Sequence, residues 1–211
     1  EFTQDGAGLN SIGGNIASTN DGIAFATGVT LTNSVLMITG LAAGDDISFG
    51  STLTGAAAST QTLGLNSGAG DITFTGAVGA TRLGAITITS ARNVTASSSI
   101  TASSLQQVAG TGTTQFDGAQ NYDAAGGLNV VTGGTILLNN TVTTTSDPAG
   151  IVTLNAATAL VIAAAGDITS AGAVNLTGAA AGITTAGDVT TSGDVVNYNS
   201  ATTLTGAITL N

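Results

Sequence analysis

The sequence predicts an all-β protein: a parallel β-helix (β-solenoid) of about nine coils with ~22 residues in each. Three observations predict it. A short apolar-x-apolar unit recurs along the whole chain. Gly, Asn, Asp and Ser separate the units, and these are the residues of tight bends. Large apolar side chains are too scarce for one globular core. The chain holds 31 Gly, 35 Ala, 38 Thr, 17 Ser and 15 Asn among 211 residues, and 3% of residues are aromatic.

The units run in order as Ile23-Ala24-Phe25, Ile47-Ser48-Phe49 and Ile72-Thr73-Phe74, then Val94-Thr95-Ala96, Thr114-Gln115-Phe116 and Ile136-Leu137-Leu138. Val152-Thr153-Leu154, Val174-Asn175-Leu176 and Val196-Asn197-Tyr198 complete them. Their spacings are 24, 25, 22, 20, 22, 16, 22 and 22 residues. The short spacing points to Thr158-Ala159-Leu160 as a competing unit. Outer members are apolar at 17 of 18 positions, with Thr114 the exception. Middle members are polar at 7 of 9, with Ala24 and Leu137 the exceptions. Alternation with period two buries one face of a strand, whereas a helix needs apolar spacings of three and four. Thr, Val and Ile also favour strands.

Further short strands lie between the units: Val29-Thr30-Leu31, Ile86-Thr87-Ile88, Val142-Thr143-Thr144 and Leu204-Thr205-Gly206. Two or three strands with bends make one coil. Stacking such coils ~4.8 Å apart gives a rod roughly 45 Å long. Phe25, Phe49 and Phe74 are expected to form an internal ladder, and Asn175 and Asn197 an external one.

Composition excludes several functions. There is no Cys, His, Trp or Lys. Thiol chemistry, imidazole ligands and a Ser-His-Asp triad are therefore absent. Two Arg against twelve acids give a net charge of -10, which repels nucleic acid and anionic membrane surfaces. The longest apolar run, Ala159 to Ala165, is too short to cross a bilayer. No signal peptide is visible, and the first residue is Glu1. The chain reads as a mature product or a piece of something longer, and its lack of Cys fits a bacterial exported protein.

A longer repeat is also visible. Residues 194–211 resemble the region from residue 21 at an offset of 173. Asp194 to Tyr198 aligns with Asp21 to Phe25, and Thr203-Leu204-Thr205 matches Thr30-Leu31-Thr32. The expectation is a single domain over 1–211, with one superrepeat (21–193) and the start of a second (194–211). Neither end reads as a cap, and an uncapped coil offers unpaired backbone groups to another edge. The expected assembly surface is the pair of terminal strands. It comprises Ile23, Phe25, Val29 and Leu31 at one end, and Val196, Tyr198, Leu204, Ile208 and Leu210 at the other.

Stretches such as Gly70-Asp71-Ile72-Thr73-Phe74, Gly166-Asp167-Ile168-Thr169, Leu83 to Thr89 and Gly110 to Phe116 resemble the repeats of very large bacterial surface proteins. These are of the filamentous-haemagglutinin and autotransporter-adhesin type. The resemblance implies a right-handed parallel β-helix, secretion, and a role in adhesion or surface fibres. The Asn-Pro motifs of that family's secretion domain are absent, since Pro148 is the only proline. The resemblance thus implies the shaft.

Four candidate sites remain. Asp45, Asp46, Asp71, Asp167, Asp188 and Asp194 offer carboxylates to calcium. The Gly-Gly-x-Gly-x-Asp nonapeptide of calcium-binding rolls is missing, so they are expected to form bends. Asp117, Tyr122 and Asp123 suggest paired carboxylates for glycoside cleavage, but only Arg82 and Arg92 could neutralise an acidic sugar. Both Arg are expected to pair with nearby Asp. The Thr-x-Thr pairs Thr73/Thr75, Thr87/Thr89 and Thr143/Thr145 suggest an ice-binding array, but their irregular spacing favours ordinary outward Thr. Gly110-Thr111-Gly112 lacks the strand-loop-helix context of a nucleotide site. The expectation is therefore a structural, non-enzymatic protein with no cofactor, extracellular or on a bacterial surface. It associates head to tail with copies of itself or with neighbouring repeats of a longer chain. A monomeric module binding host or environmental glycans is the alternative, and a polysaccharide-acting enzyme stands behind it.

Overall fold

The computed structural model describes residues 1–211. Every regular element is a β-strand, every strand pairing is parallel, and no helix is present. The chain winds into about nine coils of ~22 residues. Each coil has three sides, and equivalent sides stack into three continuous faces.

Face one holds ten strands, from Phe2–Gln4 through Ile23–Phe25, Ile47–Phe49 and Ile72–Phe74 to Gly182–Thr185 and Thr202–Leu204. Face two starts at Asn10–Ile12 and Val29–Leu31, runs through Gln120–Tyr122 and Val142–Thr144, and ends at Val189–Thr191. A last bridge from Leu210 to Val189 extends it. Face three starts at Ile16–Ala17 and Val35–Ile38, and ends at Val174–Gly178 and Val196–Tyr198. The longer strands Val78–Ser90 and Ile100–Gln107 run from face two around the corner into face three.

The triplet alternation works as anticipated. In Ile23–Phe25, Ile47–Phe49 and Ile72–Phe74 the outer residues are buried and the middle one is half-buried. Forty buried apolar residues form one continuous core along the axis. Phe25, Phe49 and Phe74 stack with ring centroids 5.6 and 5.4 Å apart and planes within 8° and 1°. Phe2 continues the ladder at 5.3 Å with a tilted ring. Outside, the Asn197 amide donates to Asn175 Oδ1 at 2.9 Å. Thr114, the exception among the outer positions, is buried because its hydroxyl donates to Gln107 Oε1 inside the coil at 2.9 Å.

Three sequence expectations need correction. Face one continues from Ile136 to Leu160 and then to Ile183. The units at Val152, Val174 and Val196 belong to face three instead. The 16-residue interval is therefore two sides of a coil, and the competing unit is Leu160-Val161-Ile162 rather than Thr158-Ala159-Leu160. Likewise, the 173-residue offset is seven coils and two sides. It carries Ile23 on face one to Val196 on face three, so block 21–193 is not a whole number of coils. Alternation and bend chemistry are the same on every side, so sequence alone cannot tell one face from another. Finally, Leu204 ends a strand that starts at Thr202, while Thr205 and Gly206 form a bend.

Phe49 lies between two rings and is 1% exposed. Its truncation to Ala is expected to cost about 3–5 kcal/mol. The same change at the half-exposed Phe2 should cost much less. Urea unfolding followed by far-ultraviolet circular dichroism checks the contrast, and equal midpoints would contradict the ladder's role.

Candidate functional site: the two ends of the coil

The last coil leaves three strand edges uncovered. They are Val196–Tyr198 on face three, Thr202–Leu204 on face one and the Leu210 bridge on face two. Each pairs on one flank only, and the backbone groups of its other flank are the usual template for further pairing. The side chains that point along the axis are mostly apolar. Tyr198, Thr202, Leu204, Ile208 and Leu210 line a cleft of ≈ 560 Å³. Leu204 and Leu210 are 57% and 54% exposed, whereas residues at equivalent places one coil below, such as Thr185 and Val189, are fully buried. The Tyr198 hydroxyl is enclosed and lacks a hydrogen-bond partner. Burial raises its pKa above the ordinary tyrosine value.

The opposite end differs in chemistry. Its inward positions include Phe2, Ile12 and Ile16, but also Gln4 and Asn10. Asn10 Nδ2 donates to Gln4 Oε1 at 3.1 Å and to the Gly28 carbonyl at 3.2 Å. The Thr27 hydroxyl donates to Gln4 Oε1 at 3.0 Å. This polar cluster closes the axis where later coils place Phe, Val or Leu. The first coil thus carries a polar cluster on the axis, and the last coil an apolar one.

The expected assembly residues divide accordingly. Val196, Tyr198, Leu204, Ile208 and Leu210 do lie together at the open end. Ile23, Phe25, Val29 and Leu31 do not form an end surface. They are 0–2% exposed beneath the first coil, which pairs with them through Phe2–Gln4 and Asn10–Ile12. Sequence reading missed that first coil because Gln4 and Asn10 break the apolar pattern. Its one visible signal is Phe2, 21 residues ahead of Ile23.

The acidic residues occupy the corners. Asp46 Oδ1 accepts from the Asp71 N–H at 2.7 Å, and Asp71 Oδ1 accepts from the Asn93 N–H at 3.1 Å. Asn93 accepts from Thr113 N–H at 2.8 Å. Asp167 accepts from Asp188 N–H at 2.8 Å, and Asp188 in turn from Thr209 N–H at 2.6 Å. Each side chain caps the backbone one coil further on, so bend-forming Asp and Asn also tie coils together. No group of three or more acidic side chains comes together as a metal cage. Asp45 turns back locally and accepts from the Ala42 N–H, and Asp194 is half-buried with its backbone carbonyl accepting from the Thr191 hydroxyl.

Both arginines buckle coils together. Arg92 forms a two-pronged pair with Asp71 at 2.8 and 2.7 Å. Arg82 Nε meets Asp123 Oδ2 at 3.0 Å, and its other nitrogens donate to the Ala102 carbonyl and Asn121 Oδ1. Arg82 therefore spans three successive coils. The suggested Asp117/Tyr122/Asp123 constellation is dispersed. Tyr122 is fully buried and donates to Gln120 Oε1 at 2.8 Å inside the core. Asp117 follows a face-one strand and accepts from Gln115 and Asn139, while Asp123 follows a face-two strand and faces Arg82. The Gly110-Thr111-Gly112 segment is a bend before the face-one strand Thr114–Phe116.

The architecture defines the class of protein: a β-solenoid, consistent with β-helical repeat proteins. No family model, curated protein or solved structure matches the chain.

The hydrogen bond from Arg92, aided by Asn93, holds the Asp71 carboxyl below the usual carboxylate range. A lowered folded pKa contributes stability that is complete above the unfolded value of about 4. That contribution is lost as pH falls through the folded value. Asp71→Asn should therefore be less stable than the parent at pH 7, by a small margin because the pair is partly exposed. The margin should shrink below pH 4. Urea midpoints of both proteins at pH 7 and pH 3 test this, and a margin that widens in acid would overturn it.

Proposed function

We propose that this chain is a structural, non-enzymatic protein: a β-solenoid shaft segment of an extracellular bacterial fibre or adhesin that associates end to end. The open, apolar last coil is the observation that carries the reading. Exposed Leu204 and Leu210, with half-buried Ile208 between them, continue the core that runs along the axis. Covering apolar surface contributes about 25 cal/mol per Å², and a strand edge placed over it also pairs the free backbone groups. Both Arg and the corner residues Asp46, Asp71, Asp167 and Asp188 hold coils together, which supports a structural role over a catalytic one. The resemblance to large bacterial surface repeats supports a location outside the cell, without membrane insertion or nucleic-acid partners.

A second reading rests on a shallow groove of ≈ 370 Å³ on face three, where Gly64 leaves room beside Leu36, Asn15, Ser34 and Thr87. Its mixed polar and apolar lining suits a glycan, and would make the chain a monomeric adhesin module. Binding of the parent but not of Asn15→Ala on a glycan array would favour it.

Negative-stain electron microscopy across a dilution series decides between the readings. Long unbranched filaments are expected, and uniform short rods at every concentration would overturn end-to-end association. Deleting Val196 to Asn211 should abolish the filaments while leaving the circular dichroism of the remaining coils. Salt should lengthen the filaments, because like-charged copies of net charge -10 repel less when screened.

A further inference from the structure

Resting on the glycan-binding reading, we propose that face three is a track for a neutral, linear, β-linked polysaccharide. The polymer lies along the rod axis over a column of side-chain amides and hydroxyls.

Register builds the column. Thr87 pairs with Gln106, Gln106 with Asn129, Asn129 with Thr153, Thr153 with Asn175, and Asn175 with Asn197. All six point outward and are half-buried or exposed. Six successive coils thus present an uncharged hydrogen-bonding group about every 4.8 Å. An extended β-linked hexose chain advances by nearly the same step per sugar, so each ring can meet one coil. The matching columns on the other faces lack this character. Leu137 and Val161 interrupt the one on face one, and Arg82 engages Asn121 in the one on face two.

Three further observations fit such a ligand. First, the chain leaves these amides largely unengaged. At the corners, Asn93, Asn139 and Asn140 commit their side chains to neighbouring coils. Within the column the one side-chain bond between amides runs from Asn197 to Asn175. Asn129 Oδ1 is enclosed without a donor. An unpaired enclosed acceptor is unfavourable, and a half-turn of the amide towards a ligand hydroxyl relieves it. Second, aliphatic groups flank the column. Val131 is 36% exposed beside Asn129 on the same strand, and Asn155 and Thr177 continue its own column. Leu36 is 38% exposed at the head of the track, where Gly64, the partner of Thr87, opens the groove. Aliphatic side chains beside amides suit a pyranose, which carries C–H groups on its faces and hydroxyls at its rim. Third, charge selects the occupant. The strands that carry Gln106 through Asn197 contain no Asp, Glu or Arg. The chain as a whole has a net charge of -10. An acidic polysaccharide, or a second copy laid alongside, is repelled, whereas a neutral glycan is not.

Titration calorimetry of the full chain with cello-, manno- and xylo-oligosaccharides of two and six sugars tests the track, with sedimentation equilibrium alongside. At least one six-sugar probe is expected to bind about tenfold more tightly than its two-sugar counterpart, because each further coil adds contacts to a ligand already held. Gln106→Ala/Asn129→Ala/Asn175→Ala should remove that length dependence while leaving the circular dichroism unchanged. Asn129→Ala alone, at an amide whose oxygen has no partner in the chain, should weaken six-sugar binding severalfold. Equal binding of both lengths, lost in Asn15→Ala and kept in the triple variant, would overturn the track and leave the glycan reading on the groove. No binding of any of these probes would overturn the track, and no signal on an array of neutral glycans would overturn the glycan-binding reading with it. A dimer that the triple variant dissociates would assign face three to a second copy and overturn the proposal.

Discussion

Parallel backbone pairing between successive coils is the constraint on which the rest of this structure depends. A side of three or four residues makes too few contacts to hold a strand alone. Each side instead both donates to and accepts from the coils on its two flanks, as the Ile23 N–H does to the Asp46 carbonyl and the Ala26 N–H to the Gln4 carbonyl, so every coil is fixed by its neighbours. The pairing sets the stacking distance. That distance suits the near-parallel Phe25, Phe49 and Phe74 rings, and it lets Asn197 reach Asn175 and each corner Asp reach the next coil's backbone. Side-chain ladders are consequences of the backbone repeat, and they in turn hold the register.

This explains how so unusual a composition folds. The core is narrow and one coil deep, so Ala96, Ala102 and Ala156 can occupy inward places that a globular core would give to Leu or Phe. Thr and Ser fill the outward places, where β-branching favours the strand. Coil length varies at the corners while the sides stay in register. Along face one, successive equivalent residues are 19 to 25 apart, and insertions such as Ala56 to Thr60 are absorbed as bends. The few charges serve the same end. Arg82 ties three coils and Arg92 two, and the corner carboxylates cap N–H groups that would otherwise face water.

The sides of the coil were legible in the sequence, and the identity of each side was not. Alternation at Ile23-Ala24-Phe25 or Val174-Asn175-Leu176 marks a strand with one buried face, and nothing in it records which face. The unit at Val152 therefore looked continuous with Ile136, although the chain had passed only two sides. The same ambiguity hid the first coil. Gln4 and Asn10 are inward residues with polar side chains, and they satisfy each other and Thr27 only once the third dimension brings them together. Bend-forming Asp residues were recognised from their Gly neighbours. Their role in the next coil, reached 20 to 25 residues later, needed the register.

Polar residues on the axis mark the places where one coil differs from the next. Gln4 and Asn10 place amides where later coils hold Phe, Val or Leu, and they are satisfied by each other and by Thr27. Midway along the rod the Thr114 hydroxyl donates to Gln107, and the Tyr122 hydroxyl to Gln120. A polar residue inside a β-solenoid is costly unless it is paired, so each such pair restricts which side chains can stand beside it. A core of aliphatic residues alone would leave successive coils interchangeable, and these few paired polar groups are what distinguish them.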